Sequence, residues 1–578
     1  GILRRTAQRF PDRDAVAFCH FAPDGRTVLD APTRDCFRRT WSAFDADVDR
    51  AARALIGMGI RPGEHVAAWG TNRLEWLLLQ FGCARIGAVL VNVNPAYRAS
   101  EMAYVLEQSD SVALFLIDRF RKSDYFAMLG EVLPEPSTKR LDAGRISGDG
   151  GESRDSAAGL GPAEAGHYER FPKLRRLVSM ASAVRPGMLA WDEFLALGDA
   201  VSADELTARE MATRPDDPVN MQYTSGTTGF PKGALLAHRS LLLNAFHVGA
   251  CQLITKRDRM CVPLPFYHCF GCVLGTLCAT VYGAALVVPA EHFDPGRTLA
   301  AIETERATVL YGVPTMFIAQ LEHPDFPHRD LSSLRTGIMS GSPCPIEVMK
   351  KVLERMGIRE ITIAYGQTEA SPVITQTGCR DALELRVRTV GKPLPGVEVK
   401  IVDPATGAEL PDEQPGELCT RGHVVMLGYY KNPEATAQAI DADGWLHTGD
   451  LALRLPNGYY RITGRIKDMI CRGGENIYPR EIEECLYGHP AVEDVAVVGV
   501  PDPKFIEEIA AWVRLKTGAC ATEEELRDHC RQRLAHFKTP RYLKLVTEFP
   551  QTVSGKIQKF RIREAMIAEL GLERSETA

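Results

Sequence analysis

The segment Tyr223–Gly233, which reads Tyr-Thr-Ser-Gly-Thr-Thr-Gly-Phe-Pro-Lys-Gly, carries the most distinctive chemistry in the chain. It combines three glycines, several hydroxyl side chains and Lys232, directly after an apolar run that is typical of a strand. Glycine lets backbone N–H groups approach an anion closely, hydroxyl groups add hydrogen-bond donors, and lysine adds positive charge. The pattern therefore predicts a phosphate-binding loop.

This loop differs from the P-loop of nucleoside triphosphatases, in which a Gly-Lys pair is followed by Ser or Thr. Here Lys232 is followed by Gly233, and the later pair Gly555–Lys556 is followed by Ile557. The P-loop class is excluded, although the prediction of phosphate binding stays.

Four further polar motifs follow the loop in the sequence. They are Ala-Tyr-Gly-Gln-Thr-Glu at 364–369, His-Thr-Gly-Asp at 447–450, Gly-Arg-Ile-Lys-Asp-Met-Ile at 464–470 and Pro-Gln-Thr-Val-Ser-Gly-Lys-Ile-Gln-Lys at 550–559. An aromatic ring beside glycine can expose its face, and a carboxylate near a phosphate loop can bind a hard cation. Each short motif is weak alone, but their order after the loop indicates a nucleotide site.

With these motifs in this order, the chain resembles the adenylate-forming superfamily, and most of all its medium-chain fatty acyl-CoA ligases, over nearly its whole length. The resemblance implies that a carboxylic acid reacts with ATP to give an acyl-adenylate and pyrophosphate. The thiol of coenzyme A then displaces AMP to give acyl-CoA. ATP, Mg²⁺ and coenzyme A are therefore the expected cofactor and substrates beside a small-molecule carboxylic acid.

The resemblance assigns three residues to catalysis. Lys556 is expected to reach the reacting carboxylate and the α-phosphate, while Thr224 and Glu369 are expected to hold Mg²⁺. Cations suit this task because the reaction builds negative charge around the phosphates. Tyr365 is expected to stack on adenine, and the carboxylate of Asp450 to accept hydrogen bonds from the ribose hydroxyls.

The expected nucleotide contacts extend beyond these residues. Arg465 would be a second ribose or phosphate contact, and the small residues 340–342 would line the adenine pocket. The predicted ATP and AMP contacts are Thr224, Ser225, Gly226, Thr227, Thr228, Gly229, Lys232, Ser340, Gly341, Ser342, Ala364, Tyr365, Gly366, Gln367, Thr368, Asp450, Arg465 and Lys556.

The acyl pocket is expected around His268, Val313, Gly341 and Gly366 by the same resemblance. No acidic residue occurs from residue 260 to 290. An ammonium group would lack a partner against such a wall, so a hydrocarbon or aryl carboxylate is favoured over an amino acid.

Coenzyme A is expected to meet Arg472, Gly473 and Gly474 after a small domain rotates about a hinge at Lys467. One residue departs from the family pattern, because Ile506 stands where glycine is usual. A β-branched residue resists positive φ, so the fit of coenzyme A at this loop is in question.

The composition excludes several classes of protein. The 578 residues carry a net charge of −6, which gives no electrostatic footprint for nucleic acid. The fifteen scattered cysteines suit reduced thiols, and no signal segment is visible, so we expect a cytoplasmic protein.

The uncharged stretch 260–290 is long enough to span a bilayer, but its prolines and glycines favour strands and a helix, and we expect no integral membrane segment. Formation of a homodimer is left as an open alternative.

Alternating helix and strand patterns predict an α/β fold. Helical spacing runs from Phe37 to Gly57 and from Trp76 to Gly87, with strand-like runs between and after them. Together with the resemblance, this predicts a large N-terminal domain, 1–466, of layered α/β subdomains plus a distorted β-barrel. A small mobile α+β domain, 467–578, follows, and 135–170 reads as a flexible insertion.

Three alternatives remain open at this point. The adenylation chemistry would also suit a ligase that loads a carrier protein, although no carrier domain is appended. An aryl-acid CoA ligase would share the same motifs. A nucleotide-binding pseudoenzyme is disfavoured because the chain retains all the residues of the expected site: Thr224, Lys232, Glu369, Asp450, Arg465 and Lys556.

Overall fold

The computed structural model describes residues 1–22, 24, 28–29, 33, 35–133, 170–224, 231–342, 344–472, 475–552 and 556–572. The expected insertion at 135–170 lies outside the described residues except for its last position. The chain divides into two compact units, one of residues 1–48, 71–78 and 214–578 and the other of residues 49–70 and 79–213. The predicted domain boundary at 466 stays a prediction.

The second unit contains a parallel sheet. Its strands, in spatial order, are Val89–Val93, His65–Trp69, Ser111–Leu116, Arg176–Ser179 and Leu189–Ala190. The first three are buried along their whole length, as strands covered on both faces are. Its helices are Ala99–Gln108, Tyr125–Val132, Trp191–Ala196 and Ala203–Ala212, and a short hairpin pairs Arg119–Phe120 with Ser123–Asp124.

The first unit is built on a nine-stranded sheet with a parallel centre. Its order is Lys392–Pro393, Val373–Gln376, Glu360–Gly366, Thr336–Met339, Val309–Gly312, Arg259–Cys261, Ala285–Val288, Asp14–Phe18 and Phe37–Thr40. Its α-helices include Ile2–Arg9, His238–Cys251, Cys278–Tyr282, Pro295–Glu305, Pro314–Leu321, Ile346–Arg355, Leu383–Arg388 and Pro433–Ala439. The helices Trp41–Gly57 and Leu74–Ile86 run from one unit into the other along the chain.

Two sets of antiparallel strands complete the part of this unit before residue 466. One is a run of three strands with the order Gly428–Tyr429, Lys232–Ala237 and Pro218–Thr224. The other is a four-stranded sheet with the order Val397–Val402, Gly416–Gly422, Leu446–Arg454 and Tyr460–Arg465. These strands carry residues of the predicted phosphate loop and ribose motif.

The described residues from 470 to 572 form an α+β lobe, here called the C-terminal lobe. Its strands are Glu475–Ile477, Ile470–Arg472, Ile506–Leu515, Val492–Asp502 and Tyr542–Leu545. Alternate residues of a strand face opposite sides. Val495 and Val497 accordingly pack with the helices Pro479–Tyr487 and Glu523–Arg531, while Val498 packs with Lys559–Leu570. Each such buried aliphatic side chain contributes about 1.5–3 kcal/mol.

Most predicted elements are confirmed, with one correction at a boundary. The helix expected from Phe37 begins at Trp41, because residues 37–40 pair antiparallel with Asp14–Phe18 as an edge strand. The apolar stretch 260–290 forms the strand Arg259–Cys261, the π-helix Phe270–Leu277, the helix Cys278–Tyr282 and the strand Ala285–Val288. No helix in the described ranges is long and apolar enough to cross a bilayer. All fifteen cysteines carry free thiols.

Ile506 occupies a strained backbone position. It begins the strand Ile506–Leu515 with φ of 74°, in the left-handed region that a β-branched residue resists. Its side chain is 59% exposed, so little burial offsets the strain. The departure noted in the sequence therefore carries a real conformational cost.

We expect Ile506→Gly to stabilise the C-terminal lobe by about 1 kcal/mol. Glycine relieves the backbone strain of the folded state, and part of that gain is offset because glycine gives the unfolded chain more conformational freedom. Thermal and denaturant unfolding measure the change. Ile506→Ala is the matched control, since it removes the same exposed bulk but keeps Cβ, and we expect a smaller gain. Equal stability of the two variants would contradict the strain argument.

Candidate active site

The structure brings together the two residues predicted to hold a metal ion. Thr224 ends the strand Pro218–Thr224, and Glu369 lies in a short 3₁₀ turn after Glu360–Gly366. The Thr224 hydroxyl donates to Glu369 Oε1 at 3.0 Å. The buried Glu369 is only 9% exposed, so its charge is held in a protein environment. Two oxygen atoms of the type that a hard cation prefers are thus adjacent.

Tyr429 joins this pair to Lys232, and sequence reasoning missed it. Its hydroxyl donates to Glu369 Oε1 at 2.8 Å, and the Lys232 ammonium lies 5.2 Å from the centre of its ring. The contact arises because Gly428–Tyr429 pairs antiparallel with Lys232–Ala237. The only signal in the sequence was an aromatic pair after glycine, and pairing between such distant segments is not readable from it.

A second cluster surrounds Asp450, which is only 4% exposed. Arg465 Nε lies 2.7 Å from its Oδ1, and the Tyr365 hydroxyl donates to its Oδ2 at 2.8 Å. Asp450 and Arg465 face each other across the paired strands Leu446–Arg454 and Tyr460–Arg465. Burial, and then the charge of Asp450, raise the pKa of Tyr365, so its hydroxyl stays a donor. Three predicted nucleotide contacts therefore form one hydrogen-bonded group.

Glu417 stabilises the turn that carries Asp450, and sequence reasoning did not identify it. Glu417 Oε1 accepts the Gly449 N–H at 3.0 Å, and its Oε2 lies 2.8 Å from His447 Nδ1. The Thr448 hydroxyl donates to a neighbouring carbonyl and accepts the Asp450 N–H at 3.1 Å. Gly449 has φ of 69°, which suits glycine. Every residue of the turn is fixed by a hydrogen bond or an ion pair.

The predicted adenine-pocket residues follow two neighbouring parallel strands. Ser340 comes directly after Thr336–Met339, and its hydroxyl donates to the Ala364 carbonyl at 2.5 Å. A Cβ on Gly366 would lie 1.9 Å from the Pro372 carbonyl oxygen, so only glycine fits there. The two strand ends are thus close together, and the adenine-pocket role expected for 340–342 stays a prediction. Gln367 and Thr368 follow on the same segment.

Two of the four predicted acyl-pocket residues, Val313 and Gly341, lie side by side, and the pocket itself stays a prediction. A Cβ on Gly341 would lie 3.1 Å from Val313 Cγ1 and 3.9 Å from Phe270 Cδ1, so these residues form one apolar surface. His268 Nδ1 accepts the Phe270 N–H at 3.1 Å, which leaves the proton on Nε2. Burial, and then the charge of Lys556, lower the pKa of His268 to about 4. The imidazole is therefore neutral near pH 7.

Lys556 lies within electrostatic reach of His268 and of the Asp450 cluster. Its pKa is lowered to about 8, first by burial and then by the charge of Arg465, while Asp450 opposes the shift. The residue is exposed in surface area, so the surrounding protein limits the hydration of its ammonium without removing it. Its backbone N–H donates to the Thr552 hydroxyl at 3.1 Å, which ties Lys556 to Thr552. The pKa of Lys467 is also lowered, by burial first and by Arg465 second.

Arg472, expected to contact coenzyme A, is engaged within the C-terminal lobe. Its Nε and Nη2 both bind the carboxylate of Glu508, which is 1% exposed, with Nη2 at 3.0 Å from Oε2. Its guanidinium also lies 4.6 Å from the ring centre of Phe505. The coenzyme A role of Arg472 stays a prediction, as do the roles of Gly473, Gly474 and residues 225–229, which lie outside the described residues.

Comparison with known proteins identifies the family of this chain. The AMP-binding enzyme family matches residues 3–430, and the AMP-binding enzyme C-terminal domain matches residues 481–556. YngI of Bacillus subtilis (strain 168), provisionally named an acyl-CoA synthetase, is 49% identical over 100% of this chain and 98% of its own length. The mitochondrial medium-chain acyl-CoA ligase ACSF2 of Homo sapiens is 38% identical over 99% of this chain and 88% of its own.

Solved structures agree with these relatives. The anthranilate CoA ligase AuaEII, in complex with anthranoyl-AMP, superimposes with a TM-score of 0.82 at 26% identity, over 99% of this chain and 97% of that chain. The fold, the order of the motifs and the relatives all point the same way. The chain belongs to the AMP-binding enzyme family, among its acyl-CoA synthetases.

Proposed function

We propose that this chain is a medium-chain acyl-CoA ligase that works through an acyl-adenylate, with the residue roles set out below. The observation that carries the proposal is the position of Lys556. Its charge acts on His268 beside the expected acyl pocket and on the Asp450 and Arg465 pair of the expected ribose site. A cation between an acid and a nucleotide is what adenylation requires.

Nucleotide binding begins at Asp450. Each carboxylate oxygen carries two acceptor positions, so Asp450 can keep Tyr365 and Arg465 and still accept the ribose hydroxyls. The Tyr365 ring, fixed through its hydroxyl, is then positioned to meet the flat face of adenine. Lys232, held over the Tyr429 ring, supplies positive charge for the phosphates.

Thr224 and Glu369 fit a magnesium ion. Both supply oxygen, and Tyr429 restrains Glu369 Oε1. Mg²⁺ bound there would neutralise phosphate charge and make pyrophosphate a better leaving group. These residues orient the nucleotide, while Lys556 acts on the reacting atoms.

In the first step, a carboxylate oxygen of the acid attacks the α-phosphorus of ATP. The new O–P bond forms as the bond to pyrophosphate breaks. The protonated Lys556 stabilises the charge that builds on the α-phosphate. Neutral His268 can donate its Nε2 proton as a hydrogen bond to the acid, which orients the carboxylate.

In the second step, the thiol of coenzyme A loses its proton to solvent and its sulfur attacks the acyl carbonyl. The C–S bond forms, and AMP leaves with the electrons of the C–O bond. We propose that the region after Lys467 rotates to admit the thiol, which removes Lys556 from the site. The salt bridge between Arg472 and Glu508 lies wholly within that region, so it can survive the rotation. The free thiols also support a reducing, cytoplasmic setting.

A panel of carboxylates tests the proposal. With ATP, Mg²⁺ and coenzyme A, we expect medium-chain acids such as octanoate to give the highest rates of AMP release and thioester formation. The apolar surface of Val313, Gly341 and Phe270 offers no partner for a charged substrate tail. Lys556→Ala provides the background rate. Faster turnover of benzoate or anthranilate would favour an aryl-acid ligase, and transfer only to a carrier protein would reverse the choice of acceptor.

Lys556 itself gives a sharper prediction. Lys556→Ala should slow adenylation about a hundredfold or more, because one charge-stabilising donor is lost. Thioester formation from supplied acyl-adenylate should be retained. Lys559→Ala is the matched control, because Lys559 lies three positions on and pairs with Glu483 at 2.6 Å. A similar loss in both variants would contradict the assigned role.

The pH dependence of kcat/KM for adenylation follows from the same residue. Lys556 is charged below its pKa of about 8 and loses its proton above it, so the rate should fall as pH rises through that value. In Lys556→Arg this fall should move to much higher pH, since arginine stays protonated. An identical alkaline fall in wild type and Lys556→Arg would assign it to another group.

A further inference from the structure

Three side chains behind the Asp450 turn form a compact group of possible metal ligands, here called the Cys419 cluster: Glu417, Cys419 and His447. One ligand atom of each lies within 4.8 Å of the others. His447 Nδ1 is 3.4 Å from Cys419 Sγ and 2.8 Å from Glu417 Oε2. Thiolate, imidazole and carboxylate are the ligands that Zn²⁺ takes in proteins.

The spacing is close to that of a tetrahedral zinc site. Bond lengths of about 2.0–2.3 Å place nitrogen and sulfur ligands roughly 3.5 Å apart, and nitrogen and oxygen roughly 3.4 Å apart. The observed 3.4 Å between His447 Nδ1 and Cys419 Sγ already matches. The 2.8 Å between His447 Nδ1 and Glu417 Oε2 must widen by roughly half an ångström.

A second observation points to the same site. The other imidazole nitrogen, His447 Nε2, faces Asp441 Oδ2 at 3.7 Å. Metal-binding histidines generally direct their second nitrogen to a carboxylate, which fixes the ring and raises its basicity. The His447 side chain is 33% exposed, so an ion can enter from solvent, while Cys419 is buried behind it.

The alternative cluster of Cys19, Cys36 and Glu305 is a poorer candidate. Its carboxylate is already paired with two guanidinium groups, those of Arg38 and Arg259. At the Cys419 cluster, the nearby cation is Lys400, opposite Cys419 across the sheet. Its ammonium lies 4.3 Å from the Trp445 ring centre, so it is partly engaged elsewhere.

We propose that Glu417, Cys419 and His447 form an inhibitory site for a thiophilic divalent cation of the Zn²⁺ class. The thiol of Cys419 releases its proton to solvent as the metal–sulfur bond forms, and no oxidation is involved. The required shift of Glu417 and His447 disturbs the turn at Gly449, which Glu417 holds, and hence Asp450. Metal binding therefore opposes ATP binding, and by linkage ATP opposes metal binding. The inhibition rests on the proposed function, but the binding does not.

Binding is measured by equilibrium dialysis of the full chain against buffered free Zn²⁺, with Co²⁺ spectra as an independent probe. We expect wild type to bind one more tight equivalent than Cys419→Ala, in which affinity at this site falls about a hundredfold or more. Cys83→Ala is the matched control, because Cys83 is equally buried and belongs to no group of possible metal ligands among the described residues. Loss of the Co²⁺–thiolate band in Cys419→Ala, with an unchanged circular dichroism spectrum, separates ligand loss from misfolding.

Inhibition is measured as acid-dependent AMP release at the same free Zn²⁺, with excess Mg²⁺. Wild type and Cys83→Ala should be inhibited, with a raised KM for ATP, whereas Cys419→Ala should need at least about tenfold more Zn²⁺. The same zinc stoichiometry in wild type and Cys419→Ala would refute the proposed metal site. Equal inhibition of both, although Cys419→Ala has lost the bound zinc, would refute the proposed coupling between metal and ATP binding. If wild type released no AMP even in zinc-free buffer, the proposed function would be refuted. The dialysis result alone would then show whether the Cys419 cluster binds metal.

Discussion

The buried charge of Asp450 is the constraint on which the rest of the site depends. A carboxylate that is 4% exposed is costly unless hydrogen bonds and an opposite charge compensate it. Arg465 and Tyr365 provide both, and they come from two further strands, Tyr460–Arg465 and Glu360–Gly366. One side chain thereby ties the four-stranded sheet to the end of the nine-stranded sheet. The expected hinge at Lys467 follows immediately, so the nucleotide cluster and the proposed pivot share one segment.

The same logic recurs at Glu369. Its buried carboxylate accepts hydrogen bonds from the hydroxyl groups of Thr224 and Tyr429. The Tyr429 ring in turn makes a cation–π contact with the ammonium of Lys232. Hydroxyl donors satisfy the carboxylate without cancelling its charge, which leaves it attractive to a cation. Asp450, by contrast, is neutralised by arginine and is suited to hydroxyl donors. The two buried acids thus have different partners and, in the proposed mechanism, different ligands.

The sequence predicted the motif residues and most elements because both are local properties. Glycine spacing, hydroxyl content and apolar periodicity are visible in a window of a few residues, and the helices Trp41–Gly57 and Leu74–Ile86 were found this way, apart from their exact ends. Tyr429 and Glu417 could not be found, because their importance comes from strand pairing between distant segments. The engagement of Arg472 by Glu508 was hidden for the same reason, whereas Ile506 was identified because backbone preference is local.

The central claim is that the Asp450 cluster binds the nucleotide on which an acid is activated. Exchange of labelled pyrophosphate into ATP, with octanoate present and coenzyme A absent, tests it most directly. We predict acid-dependent exchange in wild type and a large loss in Asp450→Asn, which weakens the acceptor and leaves Arg465 without its charge partner. Absence of exchange in wild type with any carboxylate, or full exchange in Asp450→Asn, would contradict the account.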